Sequence, residues 1–417
     1  MSLGRFSRYQ VTLLALLSGL MVFDGLDSNA INVALPLVGA EFGAGAGALG
    51  ASLSIVSFGA VAAFFALRLG DRYGRRPMLL LSTALFGGLT LLTALTRSLP
   101  EFVAAQFGAK LFMLTQIGLS YILLNEALEA QGRARASGLM ASLATLGAAL
   151  PALLLAPLQA AGFGWRGLYL LGAVPLLFLP LTWFFVRESD LYLQRRDRVP
   201  PSLIAELRVL LGAAWRRRFV PLSALWVALN MANSAQLYFF SLFVFTQRGW
   251  TAADLAAVAP VSLVVSFAGY YLAGWLGDRV GRRRVVGAGL LLGCLVTYLC
   301  YQAEDRILLM ACWVALNALN GIQPLLWVLT AELFPTEVRA SAAALSNNLI
   351  GRWGVVLGPA AVGLLSTATG SLTFAIMAVT SVGLLGLPIL LLLPETSDVD
   401  LASVAADADG VVSPARR

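Results

Sequence analysis

Twelve stretches of continuously apolar residues divide this chain, near 11–37, 48–67, 78–96, 101–124, 136–159, 166–186, 219–246, 254–275, 285–303, 307–331, 341–366 and 371–393. Each approaches the roughly 20 residues that an α-helix needs to cross a bilayer at about 1.5 Å per residue. The runs are long and lack any alternation of period two, which predicts helices rather than barrel strands. Numbered in chain order, they are spans 1 to 12. Polar residues gather in the short connections and in one longer one, 187–218, with Arg195, Arg196, Asp197, Arg198, Pro200, Pro201 and the Arg216-Arg217-Arg218 run. A short amphipathic helix is expected there around 203–211, lying on the membrane surface.

The pattern is duplicated. Gly70-Asp71-Arg72-Tyr73-Gly74-Arg75-Arg76 after span 2 returns as Gly277-Asp278-Arg279-Val280-Gly281-Arg282-Arg283 after span 8, 207 positions later. Glu126 and Glu332 keep nearly the same offset, as do Arg187-Glu188-Ser189 and Pro394-Glu395-Thr396. One register held across separate landmarks marks two structural halves. The expected fold is therefore an all-α membrane protein, with twelve transmembrane helices in two six-helix repeats around a central cavity. Its parts are a first bundle over 1–186, a cytoplasmic linker over 187–218, a second bundle over 219–394 and a tail over 395–417. The tail acids Asp398, Asp400, Asp407 and Asp409 predict a solvated end.

Composition fits: 59% hydrophobic and 12% charged residues leave too little polar surface for a soluble domain of this size. The net charge of +7 comes from arginines placed on one side of the spans. Only Arg97, Arg166, Arg248 and Arg306 fall on the opposite side, so both termini are expected in the cytoplasm, and nucleic acid need not be invoked. Span 1 is too long for a cleavable signal and should stay. Cys294, Cys300 and Cys312 lack metal-ligand spacing and read as small core residues. With no histidine, metal cluster or nucleophile constellation, neither an enzyme nor a cofactor is expected.

Four ionisable residues fall inside spans: Asp24 and Asp27 in span 1, Lys110 in span 4 and Arg352 in span 11. Each costs roughly 2.5–3.5 kcal/mol or more at mid-membrane unless it meets a partner or a wet cavity. All four lie near the middle of their spans and can meet at similar depth. Lys110 is the only lysine in the chain, and it reads equally as a partner for an anionic substrate or as a permanent counter-ion to Asp24 or Asp27. An offset of 206 carries Asp24 and Asp27 onto Asn230 and Asn233, the same i, i+3 pair with acids exchanged for amides. Only aspartate titrates, so proton chemistry belongs to the first half. Further candidates for binding a flat ring with polar substituents are Gln236, Tyr238, Phe239, Asn317, Asn320, Gln323 and Trp327, with Asn347 and Asn348 behind them. In the loops, Asp71, Arg72 and Arg75 with Asp278, Arg279 and Arg282, Glu126 near Arg133, and Glu332 near Arg339 predict ion-pair networks that gate a switch.

The two Gly-Asp-Arg-x-Gly-Arg-Arg loops resemble the signature loop of the major facilitator superfamily, and the resemblance spans the whole chain. That signature carries a glycine four residues before the aspartate, present as Gly274 but replaced by Leu67 in the first copy, which argues against close helix packing there. Asp24-Gly25-Leu26-Asp27 is similar to the paired-aspartate motif of the aromatic acid:proton symporters. Pro335 to Ala340, Gly351-Arg352-Trp353-Gly354 and Gly358-Pro359 resemble the span 10 to 11 region of that family and of related metabolite:proton and sugar porters. Those symporters tend to carry an arginine in span 4, where this chain has Gln106 with Lys110 one turn on. Leu26-Asp27-Ser28 through Asn32-Val33-Ala34-Leu35-Pro36 also resembles span 1 of drug:proton antiporters, whose span 5 signature is only partly present as Gly138, Gly147 and Pro151. The resemblance implies a proton-coupled symporter of an organic anion, an aromatic or small carboxylate, working by alternating access as a monomer in a bacterial inner membrane. Lys110 and Arg352 would attract the carboxylate, and Asp27 with Asp24 would carry the proton. Proton-driven efflux of amphipathic compounds is the alternative, and a non-transporting ligand receptor a third.

Overall fold

A computed structural model describes residues 6–195 and 202–396. Arg196, Asp197, Arg198, Pro200, Pro201 and the tail acids Asp398, Asp400, Asp407 and Asp409 lie outside the described residues. Among the described residues twelve helices are long and apolar enough to cross a membrane: α1 (Arg8–Phe42), α2 (Ala46–Tyr73), α3 (Arg75–Leu95), α4 (Leu99–Ala127), α5 (Arg135–Ala160), α6 (Arg166–Phe185), α7 (Arg216–Gln247), α8 (Ala252–Val280), α9 (Arg282–Gln302), α10 (Arg306–Glu332), α11 (Thr336–Thr369) and α12 (Leu372–Leu391). They coincide with the twelve apolar runs and mostly overrun them at one or both ends, because helical hydrogen bonding continues into the polar caps. No strand occurs among the described residues. The connection between α6 and α7 carries a helix at Leu203–Leu210, started by Ser202, whose Oγ accepts from the Ala205 amide.

The helices form two compact units. Unit 1 holds the chain up to the α6–α7 connection together with Tyr238–Pro260; unit 2 holds the remainder of α7 and α8 and everything after. Close crossings use glycine. In unit 1 a Cβ at Gly25 would collide with the Ala144 carbonyl, and one at Gly147 with the Val22 carbonyl, so α1 and α5 touch backbone to backbone. Unit 2 repeats the crossing between α7 and α11, where Gly354 meets the Val227 carbonyl. Leu67, which argued for looser packing, is instead received by Gly118: a Cβ there would lie 2.8 Å from Leu67 Cδ1. The space missing on α2 is supplied by α4. Gly274, by contrast, faces open space.

Several helices are interrupted near mid-span. α6 breaks between Gly172 and Pro175, α7 at Phe239, and α10 at Asn320-Gly321. α12 tightens to a 3-10 turn over Ser381–Leu385, and α11 widens to a π-helix over Ala344–Gly351. Such irregular turns inside a membrane span free backbone groups and are tolerated where protein or a cavity satisfies them.

Candidate functional site

Asp24 and Asp27 project from one face of α1 into the interior of unit 1, where they are 1% and 3% exposed. Gln116 on α4 donates its Nε2 to both oxygens of Asp24, at 2.9 and 3.1 Å. Thr90 on α3 donates to Asp27 Oδ1 at 3.4 Å, Gln106 on α4 lies within hydrogen-bonding reach of Asp27, and Lys110 acts on Asp27 electrostatically. Gly59 lets α2 press against the Phe107 carbonyl and Lys110 Cβ, so the lysine stem emerges from a tight helix contact. Of the three ionisable side chains here, the lysine therefore serves Asp27, while Asp24 is held by an amide.

Unit 2 contains the amide replica of this set. Asn230 donates to Asn347 Oδ1 at 3.3 Å and to the Gly351 carbonyl at 3.0 Å, bracing the π-helix immediately before Arg352. Asn233 Oδ1 accepts from Gln236 Nε2 at 2.8 Å, and Gln236 Oε1 accepts from Thr297 Oγ1 at 2.7 Å. Thr297 stands 207 positions after Thr90, so both halves use a hydroxyl from the third helix of the repeat. Asn317, the repeat mate of Lys110, bonds back to the Trp313 carbonyl on its own helix. Asn233, Gln236 and Asn320 line a cavity of about 20 Å³ with Cys294 and Thr380, whereas Gln323 and Trp327 lie on the next turn of α10. Trp327 packs on Trp226, ring centroids 5.1 Å apart, and Trp226 Nε1 donates to Thr330. Tyr238 is half-buried, Phe239 is buried at the α7 break, and Asn348 is half-buried in the π-helix. The three cysteines are buried and unpaired with one another.

At the loop end of each unit the repeat is nearly literal. Arg75 pairs with Asp71 at 3.4 Å and with Glu126 at 2.8 Å; Arg282 pairs with Asp278 at 2.7 Å and with Glu332 at 3.2 Å. Glu126 and Glu332 were expected near Arg133 and Arg339. Those arginines instead donate Nε to the Leu128 and Phe334 carbonyls, five residues back and just past the ends of α4 and α10, and the acids are left to the loop arginines. Arg72 and Arg279 lie over the rings of Tyr73 and Trp275. Gly74 and Gly281 hold φ of 106° and 110°, and a Cβ at either would lie 2.6 and 2.5 Å from Glu188 Oε2 and Glu395 Oε2. Glu188 accepts from the amides of Arg75 and Arg76, and Glu395 from that of Arg283, so each carboxylate sits at the N-terminus of α3 or α9. Thr396 donates to Glu332 as well.

Sequence reasoning passed over Gln116, Thr90, Thr297, Glu188 and Glu395 as functional groups. The repeat could have found them: Gln116 is the mate of Gln323, Thr90 of Thr297, and Glu188 of Glu395.

Twelve spans, a doubled loop with the same glycine conformation and ion pairs, and a buried acid pair on α1 agree with a family model described as Major Facilitator Superfamily, which matches residues 17–272 and 249–413. The chain belongs to the major facilitator superfamily. Among curated superfamily members it is similar to the 4-hydroxybenzoate transporter PcaK of Acinetobacter baylyi, 29% identical over 393 residues that cover 84% of each chain. It is also 28% identical to the gallate transporter of Pseudomonas putida, over 84% of each chain. The fold matches the inward open xylose transporter XylE from E. coli with a TM-score of 0.73 at 19% identity, covering 95% of this chain and 98% of that one. These relatives are transporters of the superfamily, and the protein is an integral membrane transporter rather than an enzyme. Among the described residues no group of three His, Cys, Asp or Glu side chains is placed to hold a metal ion.

Proposed function

We propose that the protein is a proton-coupled symporter that takes up an aromatic or small organic carboxylate by alternating access. The observation that carries this reading is the enclosure of Asp24 and Asp27 within unit 1, with the chain's only lysine acting on Asp27. A carboxylate is a proton carrier that such a site can load and unload. When Asp27 is protonated, it no longer competes for the Lys110 ammonium, which attracts a substrate carboxylate; when Asp27 is charged, the two anions compete for one ammonium. Proton and substrate then favour each other's binding, and the coupling is reciprocal. Within unit 2, Arg352 at the end of the π-helix braced by Asn230 is a candidate cation for a carboxylate. Gln236, Asn320, Gln323, Tyr238 and Trp327 are candidates for the ring and its polar substituents, with Asn233 and Asn317 as their supports.

The aromatic-acid names of the relatives favour this substrate class. Efflux of amphipathic compounds finds no support in them. The Arg75–Glu126 and Arg282–Glu332 networks serve as latches at the loop ends, the side that the arginine distribution assigns to the cytoplasm of a bacterial cell. The working unit is a monomer with lipid, anion and protons as its partners.

Purified protein in liposomes tests the reading. An inwardly directed proton gradient should accumulate radiolabelled 4-hydroxybenzoate or gallate, a protonophore should abolish the accumulation, and xylose should not compete. Accumulation that needs the opposite gradient, or none at all for any carboxylate, would sink it.

A further inference from the structure

Within unit 1 a polar column leads from Asp27 towards the end of the bundle opposite the Gly-Asp-Arg loop. α3 presents Thr90 and Thr93, and Thr96 follows as its C-cap, all at most 4% exposed. Gln106, 2% exposed, donates to Thr93 Oγ1 at 3.1 Å, and Thr96 donates to the Thr93 carbonyl at 2.8 Å. Arg166 Nη2 donates to the Thr96 carbonyl at 2.8 Å, and Arg166 Nη1 pairs with Glu41 at 2.6 Å. Trp165 Nε1 donates to the same Glu41 oxygen at 2.7 Å. An unbroken series of polar groups thus joins a buried carboxylate to one near the surface.

Beside the column stands Tyr169 on α6. It is 0% exposed, its hydroxyl has no hydrogen-bonding partner among the protein atoms, and it lies within electrostatic reach of Asp27. Gly172, one turn further along α6, holds that helix against the site: a Cβ there would lie 3.8 Å from Asp27 Oδ1. Phe102 and Trp165 cover the Tyr169 ring edge-on with centroids 5.8 Å away, and Phe42 packs on Trp165. A buried hydroxyl without a partner is costly and calls for a reason. The other charged or titratable groups facing Asp27 are Lys110 on α4 and Asp24 on α1; from α3 it meets the neutral Thr90.

We propose that the proton for Asp27 enters at this end of unit 1, beneath a lid of Trp165 and Arg166 pinned on Glu41, with the Tyr169 hydroxyl as the last relay. When the lid releases Glu41, water follows the threonine column. The phenol gives its proton to an Asp27 oxygen as it takes one from a hydronium in the water behind it, so the phenol and the water both end neutral and one excess proton has moved from the bulk to Asp27. The inference rests on Asp27 being the proton carrier of the symport reading.

Liposome-reconstituted full-length protein separates the two. Proton-gradient-driven uptake of 4-hydroxybenzoate is measured beside counterflow exchange, which needs no net proton movement. Asp27→Asn should lose driven uptake and keep exchange; if it keeps both, the symport reading and the route fall together. With Asp27→Asn behaving so, Tyr169→Phe should slow driven uptake by about 10–100-fold, at or below the low end of what a positioned proton donor contributes, with exchange unchanged. Thr93→Val should slow it in the same direction and decides the matter if Tyr169→Phe does not fold. Driven uptake at the unsubstituted rate in both variants, or equal losses in uptake and exchange, would overturn the route while leaving Asp27 as the carrier.

Discussion

Gln116 grips Asp24 through both carboxylate oxygens, with its amide nitrogen 2.9 and 3.1 Å from them. Its repeat mate Gln323 makes no such clamp, because Asn230, standing where Asp24 stands, turns to Asn347 and the Gly351 carbonyl on α11. The halves share a scaffold and divide the chemistry: carboxylates and the ammonium lie in unit 1, while their positions in unit 2 carry amides.

Gln116→Leu should destabilise the protein, because a buried carboxylate loses both of these hydrogen bonds, at a cost of about 1–3 kcal/mol. A lower unfolding temperature in detergent checks this. Adding Asp24→Asn should recover part of the loss, and a strictly additive double variant would show that the two side chains do not act as a pair.

Lys110→Gln should weaken carboxylate binding by about 2–5 kcal/mol if the ammonium meets the substrate, read by titration with 4-hydroxybenzoate. Intact affinity, together with a folding defect rescued by Asp27→Asn, would make the lysine a counter-ion to Asp27 and nothing more.

The two acids of each latch should not weigh equally. Asp71 and Asp278 are 48% and 70% exposed, against 18% and 15% for Glu126 and Glu332. Exposed pairs contribute about 0–1 kcal/mol, and screening by salt reduces that further. Glu126→Gln and Glu332→Gln should therefore slow transport more than Asp71→Asn and Asp278→Asn, in initial-rate measurements at fixed gradient. The reverse order would move the latch to the exposed acids.

Gly74→Ala should cost more than Glu188→Gln. The first forces a side chain into a φ of 106° and against the Glu188 carboxylate, a strain of about 1–3 kcal/mol. The second removes a charge from the N-terminus of α3, about 0.3–1 kcal/mol. Unfolding temperatures of the two variants give the order, and Gly281→Ala against Glu395→Gln should repeat it.

The sequence by itself determined the spans, the duplication, the orientation signal and the short list of ionisable residues that the bilayer makes costly. Those properties are local or periodic: a span is a run of apolar residues, and a repeat is a register. Asp24, Asp27 and Lys110 stood out because charge inside an apolar run is visible without a fold. The tertiary structure decided which partners they meet. Gln116, Thr90 and Tyr169 are ordinary residues in their helices, and only helix packing brings them to the acids. It also moved Glu126 and Glu332 from the nearby Arg133 and Arg339 to Arg75 and Arg282. Nearness along the chain set the expected pairs, but the carbonyls of Leu128 and Phe334, left open just past the ends of α4 and α10, claim the local arginine first.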